Sequence, residues 1–207
     1  MDASPVPKKR ARKDKATRRR EILIAALDIV GQAGMSGLTT REIALRVEIA
    51  QPTVMLHFGS KDELLKEMIS LAHQRLIEGL NAEHLDELEP VDAIGALVAF
   101  HFSFLQRMPA LPKILFSEET RTRDVIVYSR LMEMVTDYTH RIAALVSAGQ
   151  DVGLFSKDYA AEERARLIVA LFQGIAFRSL IEKDRPISDD LAAIVRSQIL
   201  QGLCASR

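Results

Sequence analysis

"LTTREIALRVEIAQPTVMLHFGSK", residues 38–61, starts a helical pattern twice and sets a proline close to the second start. In "TTREIALRV" Thr39 or Thr40 can cap a helix whose Ile43, Ala44 and Val47 face inward, with Glu42 three residues after Thr39 to complete a capping box. That helix lasts barely two turns. After the turn "EIA" the chain restarts at "QPTVMLHF", where Pro52 is tolerated because the first helical turn has no use for its missing amide donor. Val54 and Phe58 point back into the core. A helix this short is not stable alone, so its neighbours must hold it and its other face is left for contact. Gln51, Pro52 and Thr53 stand at its exposed start. This is the layout of a helix-turn-helix, in which the first residues of the second helix meet base edges in the major groove.

Outward from this stretch the periodicity is helical almost everywhere, with no convincing strand and no repeat. Ile22, Ala26, Ile29, Val30 and Ala33 share one face of a preceding helix that ends at the glycines of "GQAGMSG". Downstream, "GSKDELLKEMISLAHQRLIEGL" opens a long helix with Ser60 and Glu63 as a capping box and Leu64, Met68, Leu71 and Leu76 as its stripe. Further helices are expected from Pro90 to about Met108, over about Leu111–Glu119, from Asp124 to Ser147 with Gly149 closing it, over about Tyr159–Lys183, and from Asp189 to Leu203 after the cap candidate Ser188. The expectation is an all-α fold of about nine helices.

A net charge of zero hides a polarity along the chain. Through Lys61 there are 12 Lys+Arg against 6 Asp+Glu, and beyond it 16 against 22. The basic density peaks at residues 8–20, just after Pro5 and Pro7, so an extended arm is expected there. A one-sided basic end suits an anionic partner such as nucleic acid or a membrane surface; a solvated tail and, third, an import signal in "PKKRARK" are the other readings. With a single cysteine, Cys204, no intramolecular disulfide can form, and a reducing cytoplasm is the plain expectation. Apolar runs such as "RLIVALFQGIAF" fall short of the roughly 18 to 20 residues of a membrane span. The first residues also lack the apolar core of a secretory signal.

"LTTREIA", then "QPT", then "HFGSKDELL", together with the amphipathic helix before them, resemble the tetracycline-repressor (TetR) family of bacterial transcription regulators over about Arg19–Leu65. The resemblance implies a three-helix DNA-binding domain, a helical C-terminal domain for effector binding, and a homodimer on a palindromic operator. It also implies repression relieved by ligand and a site of action in the bacterial cytoplasm, at the nucleoid when on DNA. The corresponding domains are a basic arm over 1–16, a DNA-binding domain over 17–61 and an effector-binding and dimerisation domain over 62–207. Base contacts fall by resemblance on Arg41, Gln51, Pro52 and Thr53, and phosphate contacts on Thr40, His57 and Lys61. The chemistry agrees: Arg suits guanine, Gln suits adenine, a proline ring suits a thymine methyl, and Lys61 lies at a helix start that favours phosphate. Thr39 and Thr40 can equally be caps, and His57 a packed surface histidine.

Three positions depart from the family pattern. Glu48 stands at the turn position usually held by Gly, where positive φ costs a residue with a Cβ on the order of 1 kcal/mol. Ala50 replaces the usual hydroxyl cap of the second helix, and Met55 replaces a tyrosine that commonly contacts the DNA backbone. The basic arm is a candidate to compensate through further phosphate contacts.

In the last two helices Ala165, Ile168, Val169, Phe172 and Ala176 form one stripe, and Leu191, Ile194, Val195 and Ile199 another. Leu167, Leu171, Gly174, Ile175 and Leu180 make the penultimate helix apolar nearly all round, as suits a helix between a core and a partner. The resemblance implies a four-helix dimer interface here, with Ile168, Phe172, Gly174, Ile175, Leu191, Ile194, Val195 and Ile199 as candidates. For an effector pocket the candidates are Phe100, Phe104, Met108, Phe116, Tyr128 and Met132, which suit an apolar or aromatic small molecule, with His101 and His140 as polar accents. The five histidines form no H-x-x-x-H pair, so no metal site and no cofactor are expected. Nor is there a glycine-rich phosphate loop or nucleophile elbow to suggest an enzyme. A DNA-binding protein of architectural or protein-controlled type on the same scaffold is the alternative; salt-sensitive binding with little sequence preference marks it.

Overall fold

The structure is a computed structural model and describes residues 14–122, 125–182 and 187–204. Ten α-helices are described: α1 (Lys15–Ala33), α2 (Thr40–Val47), α3 (Gln51–Phe58), α4 (Lys61–Ala82), α5 (Pro90–Arg107), α6 (Ala110–Leu115), α7 (Glu118–Thr122), α8 (Val125–Asp151), α9 (Ala161–Ile181) and α10 (Asp189–Leu203). The all-α expectation holds. Among the described residues β pairing is confined to one isolated bridge between Phe155 and Cys204. No described helix is long and apolar enough to cross a membrane.

The N-terminal unit is α1 to α3 packed under the start of α4. Asp14 caps α1 by accepting from the amides of Ala16 and Thr17 at 2.8 and 2.9 Å, so Lys15 and Ala16 of the expected arm are already helical. Residues 1–13 of that arm lie outside the described residues. Ile22, Ala26, Ile29 and Val30 are buried as their spacing predicts, whereas Ala33, the last residue of α1, is exposed. Gly34 stops the helix with φ 74°, a conformation that Gly adopts without a Cβ clash.

The helices of the C-terminal unit differ from the expected bounds where short-range signals compete. The single piece expected over 111–119 is two helices, α6 and α7, because Ser117 caps a new start by accepting from the Thr120 amide at 3.0 Å. Gly149 does not end α8, which runs on to Asp151. Its missing Cβ admits the Phe155 ring, which would lie 2.1 Å from a Cβ built there. Asp124 and Pro186, expected near helix starts, and Lys183, expected near a helix end, lie outside the described residues. Ser188 caps α10 by accepting from the Leu191 amide at 3.3 Å, as its position predicts. One apolar core runs through both units, from Ile22 and Val54 to Phe172 and Leu203.

Candidate nucleic-acid interface and ligand cavity

The turn between α2 and α3 closes as a Schellman motif. Ile49 donates to Ala44 O at 3.0 Å and Glu48 donates to Leu45 O at 3.3 Å, with Glu48 at φ 54° and ψ 52°. Glu48 thus takes the left-handed conformation expected of the position that usually holds Gly. Thr39 caps α2 by accepting from the Glu42 amide at 3.1 Å, while the Glu42 carboxylate turns to Arg46 at 3.4 Å. Ala50 caps α3 with no side-chain hydrogen bond. The short α3 is held by Val54 and Phe58, both buried, each worth about 1.5–3 kcal/mol of apolar burial.

Arg19 of α1 ties three helices together. Its Nε donates to Glu67 Oε2 of α4 at 2.9 Å, its Nη atoms reach the second Glu67 oxygen and the backbone carbonyl of His57, and its guanidinium lies 4.5 Å from the Phe58 ring centroid. Burial, aided by the positive charges of Arg19, Lys15 and Arg18, holds the His57 imidazole below its ordinary pKa.

The residues expected on DNA stand on α2, on α3, at the cap Thr39 and at the start of α4, and differ in exposure. Gln51 and Pro52 are exposed at the start of α3, Thr53 and Met55 are half-buried, and Arg41 is exposed on α2. Gln51 Nε2 donates to Thr40 Oγ1 at 2.9 Å, bridging the starts of the two helices. Lys61, at the first position of α4, donates instead to Glu119 of α7 at 2.8 Å. Leu56 is 82% exposed and Leu45 63% exposed, and neither was singled out from sequence. The signal was present: once Val54 and Phe58 define the buried face of α3, Leu56 between them must point the other way.

A small apolar cavity of about 50 Å³ lies where α4, α5, α6, α8 and α9 converge. Of the six expected ligand residues, Phe104 lines it. Phe100 is buried against Gly79, Met108 is buried, Phe116 packs edge-on against Phe177 at 5.1 Å, Met132 is half-buried and Tyr128 is 42% exposed. The walls outside those six candidates include His101, expected as a polar accent, together with Tyr138 and Phe172. His101 Nδ1 lies 3.1 Å from Tyr138 Oη, and its ring stacks on Phe172 with centroids 3.9 Å apart at 11°. Burial alone lowers the His101 pKa to about 3 and raises that of Tyr138, so both side chains are neutral.

The residues expected at a dimer interface divide between two faces. Ile168, Phe172, Val195 and Ile199 are buried within the protomer, Ile175 and Leu191 are half-buried, and Gly174 and Ile194 are exposed. The outward face of α9 carries Leu167, Leu171, Gly174, Phe177 and Ile181 instead. Among the described residues no three His, Cys, Asp or Glu side chains cluster as a metal site.

Residues 22–68 match the family described as "Bacterial regulatory proteins, tetR family". The chain is also 25% identical over 188 residues, 88% of its length and 91% of the relative's, to the HTH-type transcriptional regulator BetI of Brucella anthropi. The chain is a TetR-family transcriptional regulator. As in other TetR proteins, a DNA-binding helix-turn-helix is followed by a helical C-terminal unit. A putative transcriptional regulator of Saccharomonospora viridis in complex with choline superposes with a TM-score of 0.81 at 19% identity, over 92% of this chain and 100% of that one. FadR of Bacillus subtilis in complex with stearoyl-CoA superposes with a TM-score of 0.73 at 17% identity, over 89% and 98%. At these identities the TetR fold is what is shared.

Proposed function

We propose that this TetR regulator is a homodimeric repressor that reads a palindromic operator through α3 and leaves it when a small apolar or aromatic molecule enters the cavity between α4, α5, α6, α8 and α9. The observation that carries this reading is the position of α6. Leu111, Pro112 and Leu115 of α6 line the cavity, and Lys113 of the same helix donates to the carbonyl of Gly31 on α1 at 2.5 Å. A ligand that parts the cavity walls therefore displaces a helix fastened to the DNA-binding unit, which is the differential contact that ligand control requires. That a structural neighbour is held with choline and another with stearoyl-CoA supports ligand response in this fold.

On DNA, Arg41, Gln51, Pro52 and Thr53 take the base edges, joined by Leu56 as an apolar partner for a thymine methyl. Thr39, Thr40, Met55, His57 and Lys61 face the backbone. The exposed apolar stripe of α9 and Ile194 of α10 pair with their copies across a two-fold axis, which a palindromic operator demands. The protein acts in the cytoplasm. Selection of the purified protein against random duplex DNA, with the winners titrated at two salt concentrations, tests the reading. A palindromic consensus whose binding a small molecule relieves is the expected result. Salt-sensitive binding without a consensus would replace it with the architectural reading.

A further inference from the structure

His101 carries an unusual debt of hydrogen bonding at the cavity wall. Its Nδ1 is paired with Tyr138, but its Nε2 is shielded from water and has no hydrogen-bond partner. Buried polar atoms are nearly always paired, so an orphan beside a cavity marks a place where a partner is missing. The walls around it are almost wholly apolar, Leu76, Met134, Val135 and Val169 among them, with Gln173 the polar exception beside the His101–Tyr138 pair. No Asp, Glu, Lys or Arg lines the cavity. A cation would find no counter-charge in the lining; the Phe172 face toward His101 is covered by the imidazole, which leaves it the Phe104 and Tyr138 rings and no charged partner. An anion would find no cationic partner.

We propose that the cavity takes an uncharged, largely apolar molecule with one hydroxyl or carbonyl group, and that this group pairs with His101 Nε2; the inference rests on the ligand-responsive reading above. The chemistry distinguishes the two groups. If Tyr138 donates its hydroxyl proton to Nδ1, Nε2 carries the ring proton and needs an acceptor, which a carbonyl or a hydroxyl supplies. If Nδ1 donates to Tyr138, Nε2 is an acceptor and only a hydroxyl answers it. Because burial keeps the imidazole neutral, with its pKa lowered to about 3, the pairing is a neutral hydrogen bond and persists unchanged across the neutral pH range. At about 50 Å³ the cavity admits a ligand only as its walls part. Pairing at His101 thereby selects which molecules open it.

The test uses full-length protein with nitrogen-15 in its imidazole rings, titrated with cyclohexanol, cyclohexanone, methylcyclohexane, choline and cyclohexanecarboxylate. Saturable binding of cyclohexanol, with or without cyclohexanone, and a shifted His101 Nε2 resonance are expected. In H101F, which keeps a ring to stack on Phe172, cyclohexanol should bind about tenfold more weakly while methylcyclohexane is unaffected. Four results overturn the proposal: no saturable binding by any probe, tighter binding of choline or the carboxylate, an unmoved Nε2 resonance, or an H101F protein with the wild-type ratio of affinities. Should H101F fail to fold, the wild-type Nε2 shift decides. Operator binding is measured in parallel. Sharp operator binding relieved only by an ionic compound overturns this proposal and leaves the repressor reading standing. Absence of operator binding overturns the repressor reading, while the Nε2 resonance still reports the chemistry of the cavity.

Discussion

Lys61 Nζ lies 2.8 Å from Glu119 Oε1, so the first residue of α4, a proposed phosphate contact, is tied to α7 of the C-terminal unit. If Lys61 takes the proposed phosphate contact, Glu119 competes with DNA for its ammonium. Both side chains are partly exposed, at 36% and 28%, which limits the pair to less than about 1 kcal/mol. Glu119→Gln is expected to tighten DNA binding by up to about fivefold and to steepen its salt dependence by about one phosphate contact. Lys61→Ala in the same background should abolish both gains. Fluorescence anisotropy at two salt concentrations measures them.

Gln51 donates to Thr40 at 2.9 Å, a bond that the proposed base contact would exchange for a base edge. Gln51→Ala should relax preference at one base pair per half-site by about 1–3 kcal/mol, while Lys61→Ala weakens all sequences alike. Competition between the selected operator and single-base variants reads the difference. An unchanged preference would place the recognition residues elsewhere.

Glu48 holds φ 54° at the turn of the helix-turn-helix. Glycine adopts that conformation without the Cβ penalty, partly offset by the greater freedom it regains on unfolding. Glu48→Gly is expected to stabilise the protein by up to about 1 kcal/mol, or about 2–4 °C in melting temperature for a chain of this size. Calorimetry of the two proteins gives the comparison.

Burial holds the His101 pKa at about 3 against an ordinary value of 6.5. Between these values the unfolded chain binds a proton that the folded chain does not, so this contribution to stability is complete above pH 6.5 and declines as pH falls. One such group removes about 1 kcal/mol between pH 7 and pH 5.5. Denaturant unfolding at the two pH values should show that loss in the wild type and a smaller one in His101→Phe. His57, whose pKa burial also lowers, acts in the same direction in both proteins, so the comparison isolates His101.

Leu171 is 39% exposed and Ile194 60% exposed on the outward face of α9 and α10. Leu171→Glu or Ile194→Glu leaves the protomer core untouched but, in the proposed dimer, sets like charges against each other across the two-fold axis. A dimer dissociation constant raised at least about tenfold is expected, with loss of operator affinity to match. Sedimentation of wild type and variants at several concentrations measures it. Unaltered dimers would move the interface off this face.

Short-range rules made the DNA-binding unit legible. Caps at Thr39 and Ser60, the proline at the second position of α3 and the inward spacing of Val54 and Phe58 all act within one or two turns, and each is found where its chemistry places it. The same rules misplaced the end of α8, because Gly149 has a tertiary reason: the Phe155 ring occupies the space its side chain would take. Ile168, a dimer candidate by resemblance, is buried within the protomer, and a helix that is apolar on two faces, as α9 is, does not reveal which one its own core will use.

By itself the sequence determined the helical class, the two short helices with their strained turn at Glu48, and the family to which they belong. These depend on backbone preference and side-chain period, which are local. Only the tertiary structure decided that Lys61 meets Glu119, that Arg19 binds α1 to α3 and α4, and that His101 lies against Tyr138 and Phe172 with one nitrogen unpaired. Each of those relationships joins residues on different helices far apart in the chain. Their distance and burial arise from packing, on which the period of a single helix carries no information.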